Sequence, residues 1–270
     1  PGAAQLASMV KDIGAQSDSG GSYPEFLGTA SGTAYFSAYS PTGEQQLWGT
    51  EGTPEGTHPV AGGCPISCSE FYSLVGEGED RLFLASSPYS SGGSATALLL
   101  ASGSPATVVP VFTATPTLWL SNLNYPGATA ILAGDLLFWA TTAAGGAELY
   151  VTNGSSGSYS LVHHFESSNG LADMNRAGGV VYFWNHPNSG TPELWSTDAT
   201  AAGTRRIPHP ELYPQSGVGI GIDSGTVYFA AQDQNGVEVW SSDGSAAGTR
   251  RLTSFADPFA RIWHMAASPT

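Results

Sequence analysis

The chain has 270 residues, of which 41% are hydrophobic and only 11% charged, and its formal net charge is −14. Eight basic residues against 22 carboxylates leave no cationic face for phosphate, so no nucleic acid is expected as a partner. No apolar run of about 18 residues occurs, so no transmembrane segment is expected, while 35 Gly and 18 Pro among many aromatic and β-branched residues predict short strands joined by tight turns.

The chain opens on Pro1 without a charged and then apolar leader, as either a mature exported protein or a trimmed chain would. Residues 9–13, Met-Val-Lys-Asp-Ile, read as one strand. From there one unit recurs. Its first copy carries Tyr35-Phe36, then Gln46-Leu47-Trp48-Gly49-Thr50-Glu51-Gly52-Thr53, then Gly56-Thr57. The only cysteines follow, Cys64 and Cys68, with Pro65 between them. A pair four apart with no second pair elsewhere makes a poor zinc site, and a local disulfide is the favoured reading, which requires an oxidising compartment.

The second copy is eroded, with Leu82-Phe83 and Ala97-Leu98-Leu99-Leu100, and the third has Leu137-Phe138 and Glu148-Leu149-Tyr150. The fourth and fifth are the clearest. They carry Tyr182-Phe183 with Glu193-Leu194-Trp195-Ser196-Thr197-Asp198, and Tyr228-Phe229 with Glu238-Val239-Trp240-Ser241-Ser242-Asp243, and each is followed by Ala-Ala-Gly-Thr-Arg-Arg. The matching positions Leu47, Leu98, Leu149, Leu194 and Val239 are spaced 51, 51, 45 and 45 residues apart. Four strands fit each unit: one before the YF element, the YF element, the ELW element, and one after the Gly-Thr pair. Residues 261–265, Arg-Ile-Trp-His-Met, add a last strand.

These motifs resemble the bacterial ELWxxDGT repeat family over nearly the whole chain. The resemblance implies an all-β fold: a single domain, 1–270, forming a five-bladed β-propeller of four-stranded antiparallel blades, or six blades with one incomplete. It implies nothing about activity.

Within the repeat, Asp198 and Asp243 are read as acceptors that hold the turn into the next strand, since one carboxylate per unit does not make a calcium loop. Trp48, Trp195 and Trp240, at one repeat position, are read as packing between blades. Aromatics outside the repeat, Trp119, Trp139, Trp184 and Trp263, are the candidate exposed platforms for a sugar. Trp184-Asn185-His186 stands out, because the other units carry small or apolar residues there. No metal site or cofactor is expected. His163 and His164 are adjacent on a strand and point to opposite faces, and His58, His209 and His264 are expected to be solvated. The carboxylates available for hydrolysis are Glu77, Asp135, Asp173 and Asp223, which share no motif. The sequence thus favours a secreted or cell-surface binding module for a glycan or protein ligand. A glycan-cleaving glycoside hydrolase or lyase, or a structural spacer, are the alternatives.

Overall fold

The computed structural model describes residues 10–11, 13, 21–40, 44–60, 70–77, 81–87, 94–95, 97–102, 107–121, 127–214, 220–223, 225–255 and 261–262. Cys64, Cys68 and Trp263 lie outside the described residues, and so do most of the two terminal strands expected at 9–13 and 261–265. All regular structure among the described residues is β. Two compact units divide the chain: Pro1–Thr113 with Ser155–Gly157, and Ala114–Gly154 with Ser158–Thr270.

The first unit holds two antiparallel meanders. One runs through Glu25–Ala30, Thr33–Tyr39, Gln45–Thr50 and Thr57–Pro59, the other through Glu70–Glu77, Arg81–Ser87, Ala97–Ser102 and Thr107–Thr113. The second unit holds three. The third sheet pairs Asp135–Thr142 with Ala147–Thr152 and that with Tyr159–Phe165, and its first strand comes in two pieces, Leu118–Ser121 and Ala130–Leu132. The fourth is Gly170–Ala177, Val180–His186, Glu193–Thr197 and Arg205–Arg206. The fifth is Thr226–Asp233, Gly236–Ser242 and Arg250–Arg251, with a first strand again in two pieces, Tyr213–Pro214 and Ile220–Asp223. The expected order of four strands per unit is therefore present in every copy.

The two sequence motifs keep step because the ladder pairs them. Phe36 lies opposite Trp48, Phe83 opposite Leu100, Phe138 opposite Tyr150, Phe183 opposite Trp195, and Phe229 opposite Trp240. A slip of one residue would turn each of these rows to the other face of its sheet, so the shared register of the motifs is the register of the fold. Hairpins with two-residue turns begin the sheets: Ser31-Gly32 has φ of 51° and 79°, and Ala133-Gly134 has 53° and 90°, the left-handed pair that matches strand twist.

Neighbouring sheets within each unit pack face to face. In the first unit Leu27, Tyr35, Leu47 and Val60 of one sheet join Phe71, Leu82, Leu84 and Leu99 of the other in one apolar cluster. The approach is close enough that a Cβ on Gly28 would lie 2.7 Å from Leu82 Cδ1. In the second unit Trp139 of the third sheet lies on the backbone of the fourth at Gly170, where a Cβ would stand 2.6 Å from its ring. Trp184 of the fourth sheet packs edge to face on Phe229 of the fifth, with ring centroids 5.5 Å apart. Facing positions thus trade large for small, as dense packing requires.

Candidate functional site

The repeat positions with the most chemical potential turn out to be occupied by the fold. Asp198 Oδ1 accepts from the Thr200 amide and hydroxyl at 2.9 and 2.6 Å, the Gly203 amide donates to Thr200 Oγ1, and Thr204 Oγ1 donates to the Thr200 carbonyl. Asp243, Ser245, Gly248 and Thr249 repeat the arrangement bond for bond. Hydrogen bonds to the ionised form hold both carboxyls below the usual aspartate range. The same geometry explains the glycine of the Gly-Thr pair. A Cβ on Gly203 or Gly248 would sit 2.0 Å from the Asp carboxylate, so a side chain there would have to displace it from the turn. The turn reading of Asp198 and Asp243 is borne out.

The Glu that opens the third, fourth and fifth motifs has a role the sequence reading missed. Glu193 accepts from Trp195 Nε1 at 3.0 Å and from Asn185 Nδ2 at 3.1 Å, and lies 3.3 Å from Arg206. Glu148 accepts the Tyr150 hydroxyl and lies 3.3 Å from His164. Glu238, only 1% exposed, takes the Thr253 hydroxyl and the Phe255 amide instead. Residues i and i+2 share a strand face, so a Glu two before an aromatic donor predicts this pairing. Where Glu238 is diverted, Trp240 Nε1 has no acceptor among the described residues.

Trp184, Asn185, His186 and Trp139 do not form the open platform expected of them. Trp184 is 1% and Trp139 2% exposed, because the residue after the YF element faces the next sheet. Asn185 is buried and committed: its Oδ1 accepts from Ser168 Oγ at 2.7 Å and its amide donates to Glu193. His186 is half-buried, burial pulls its pKa down, and its carbonyl accepts from the Asn169 amide. Trp195 packs between sheets as expected, against His163 and Phe165 of the third sheet with centroids 4.9 and 5.1 Å away, yet it is less buried than Trp184. His163 turns to that interface while His164 turns to Glu148, the opposite faces foreseen for them.

What the repeat does not use is the first strand. In each sheet it breaks within the YF pair or just past it. The register shifts between Phe26 and Gly28 in the first sheet and between Ser73 and Val75 in the second. In the third, residues 122–129 separate its two pieces, and in the fifth residues 215–219 do. In the fourth, Asp173 and Met174 bulge out between Ala172, opposite Trp184, and Asn175, opposite Tyr182. Asp173 has φ of 53°, an uncommon conformation for a residue with a Cβ. The Met174 amide donates to the Gly127 carbonyl of the third-sheet insertion at 2.7 Å, and a Cβ on Gly127 would stand 2.9 Å from Asp173 Cα. Burial pushes the Asp173 carboxyl above the usual aspartate range, and no donor reaches it among the described residues.

The remaining carboxylate candidates do not join it. Asp135 lies three residues before Phe138, and Asp223 lies three residues past Ile220, the partner of Phe229, so both mark hairpin ends about 10 Å along their strands from the YF level. Glu77 ends its strand opposite Arg81, likewise at a hairpin. Among the described residues no group of three His, Cys, Asp or Glu is arranged to hold a metal. A separate groove of about 560 Å³ flanks the first sheet, lined by Val10, Ile13, Pro24, Phe26 and Phe36. Much of its polar lining is spent locally: Thr50 and Thr57 hydroxyls bond each other at 2.6 Å, and Lys11 Nζ donates to the Pro54 and Thr57 carbonyls.

No protein-family model and no curated protein matches the chain. Solved structures do. The S511A mutant of puromycin hydrolase, complexed with PGG, aligns with a TM-score of 0.50 at 12% identity over 92% of this chain, which spans 41% of that one. The β-propeller domain of the Trilobed protease from Pyrococcus furiosus aligns at 0.45, with 11% identity over 82% of this chain and 68% of that one. A putative TolB from Agrobacterium tumefaciens gives 0.44, with 14% identity over 85% and 80%. At 12% identity the likeness to puromycin hydrolase is one of fold alone.

Proposed function

We propose that the five sheets are the blades of one propeller of the ELWxxDGT kind, and that the chain is a secreted or cell-surface binding module whose ligand meets the interrupted first strands around Asp173. The observation that carries this reading is the recurrence of the five interruptions within the YF pair or just past it. A meander needs no break in its first strand, and breaks of different length near one level are what a scaffold shows where loops have been shaped for a partner.

Asp173 supplies the chemistry. A half-buried carboxyl with no donor among the described residues, held in a strained conformation, gains most from a ligand that brings hydroxyls. That favours a glycan over an apolar protein segment. The same residue is the natural acid of the hydrolase alternative, but Asp135 and Asp223 lie at hairpin ends about 10 Å along their strands from the YF level, which favours no close carboxylate pair of the hydrolase kind. Binding without cleavage is therefore the better reading.

The test pairs a glycan array on the native protein with Asp173→Asn. Binding should fall at least tenfold in the variant while the unfolding midpoint in urea holds or rises. Native affinity in Asp173→Asn would sink the assignment, and release of shorter sugars by the native protein, lost in the variant, would replace binding with hydrolysis.

A further inference from the structure

His209 was expected to be solvated, and the fold half-buries it instead between the third strand of the fourth sheet and the Trp184 ring, 5.4 Å away. Its two nitrogens have fixed roles. The Leu194 amide donates to Nε2 at 3.1 Å, so Nε2 must present a lone pair. Nδ1 stands 2.6 Å from the Pro210 carbonyl, which only accepts, so Nδ1 carries the hydrogen. This geometry admits only the neutral ring. A second proton would have to enter at Nε2, where it would meet the Leu194 N–H head on.

The fifth sheet performs the same task with a group that does not titrate in this range. At the position equivalent to Leu194, the Val239 amide donates to Thr253 Oγ1 at 2.9 Å. In both sheets the following carbonyl is taken by the outer segment, Leu194 O by the Ile207 amide and Val239 O by the Leu252 amide. His209 therefore substitutes for a hydroxyl in tying the outer segment to the third strand.

We propose that His209 is a pH-sensitive latch for the outer edge of the fourth sheet, closed while its Nε2 accepts the Leu194 amide and opened by protonation. Opening would release the segment that carries Ile207 and Leu212, both fully buried beside Trp184. The charges facing the ring are Arg206 on the fourth strand, which opposes protonation, and Glu193 on the third, which favours it. Burial outweighs both and holds the pKa below the ordinary histidine value. A base whose folded pKa is depressed gives its full stability above its unfolded pKa of about 6.5, and loses it as pH falls from there to the folded pKa.

Amide hydrogen exchange at Leu194, corrected for the intrinsic pH dependence, reads the latch directly. Between pH of about 7.5 and about 5 its protection should drop on the order of tenfold, the worth of one net hydrogen bond, while the Val239 amide holds. His209→Thr, which transplants the solution of the fifth sheet, should abolish the difference. Leu194 protection that ignores pH, or that falls equally in His209→Thr, overturns the proposal. Should that variant not fold, ring nitrogen shifts of His209 in the native protein decide: protonation of Nε2 with an unchanged Leu194 amide overturns it as well.

Discussion

Replacing Trp184 by Ala probes the packing most severely. The indole is 1% exposed and shares an apolar cluster with Leu194, Ile207, Leu212, Ile220, Val227 and Phe229. A ring of this size hides roughly 200 Å², which at about 25 cal/mol per Å² is an upper bound near 5 kcal/mol. Its edge-to-face contacts with Phe229 and His209 add to that burial, while partial collapse of the cavity recovers some of the loss. We expect a cost of about 4 kcal/mol. Trp195→Ala should cost less, about 2 kcal/mol, because that ring is only partly buried and rests on His163 and Phe165 at the margin of the interface. Urea unfolding of both variants at constant m measures the difference. A Trp184→Ala protein no less stable than Trp195→Ala would refute the argument that the residue after the YF element is the inter-sheet packing position.

Gly203→Ala should destabilise the fold by about 1–3 kcal/mol through overpacking against Asp198, and Asp198→Ala in the same chain should relieve part of that cost; additive losses in the double-mutant cycle would show that the close approach is not real. Asp173→Gly should raise stability by about 1 kcal/mol, since glycine adopts φ of 53° freely and leaves no carboxyl to desolvate, whereas Asp173→Ala should gain less; equal unfolding midpoints for the two would remove the strain from the account. The depressed pKa of Asp198 and Asp243 means that their turns contribute stability above the unfolded aspartate value of about 3.9 and lose it as pH falls through the lower folded value. Carboxyl chemical shifts of the two residues followed through acid should therefore titrate below those of a model peptide, and ordinary midpoints would contradict the hydrogen-bonded turn.

Local chemistry was legible without coordinates. The spacing of Leu47, Leu98, Leu149, Leu194 and Val239 announced five units, and the YF and ELW elements announced the second and third strands, because a period of two and a fixed turn are written in adjacent residues. The role of Asp198 was equally local, since its partner Thr200 lies two residues on. Everything that depended on which surface meets which was out of reach. Trp184 and Trp195 are both large aromatics with an apolar residue before and a polar one after, and only the packing of the fourth sheet on the fifth buries the first more deeply than the second. His209 reads as a turn histidine until its ring is found under the Leu194 amide. The bulge at Asp173 leaves no sequence signal either, since a strand interruption is defined by the register of its partner, Val180–His186, and register is a property of two strands together. A repeat determines its own turns and ladders through neighbours in the chain, whereas burial, strain and a captured imidazole arise from contacts between units that the chain brings together only on folding.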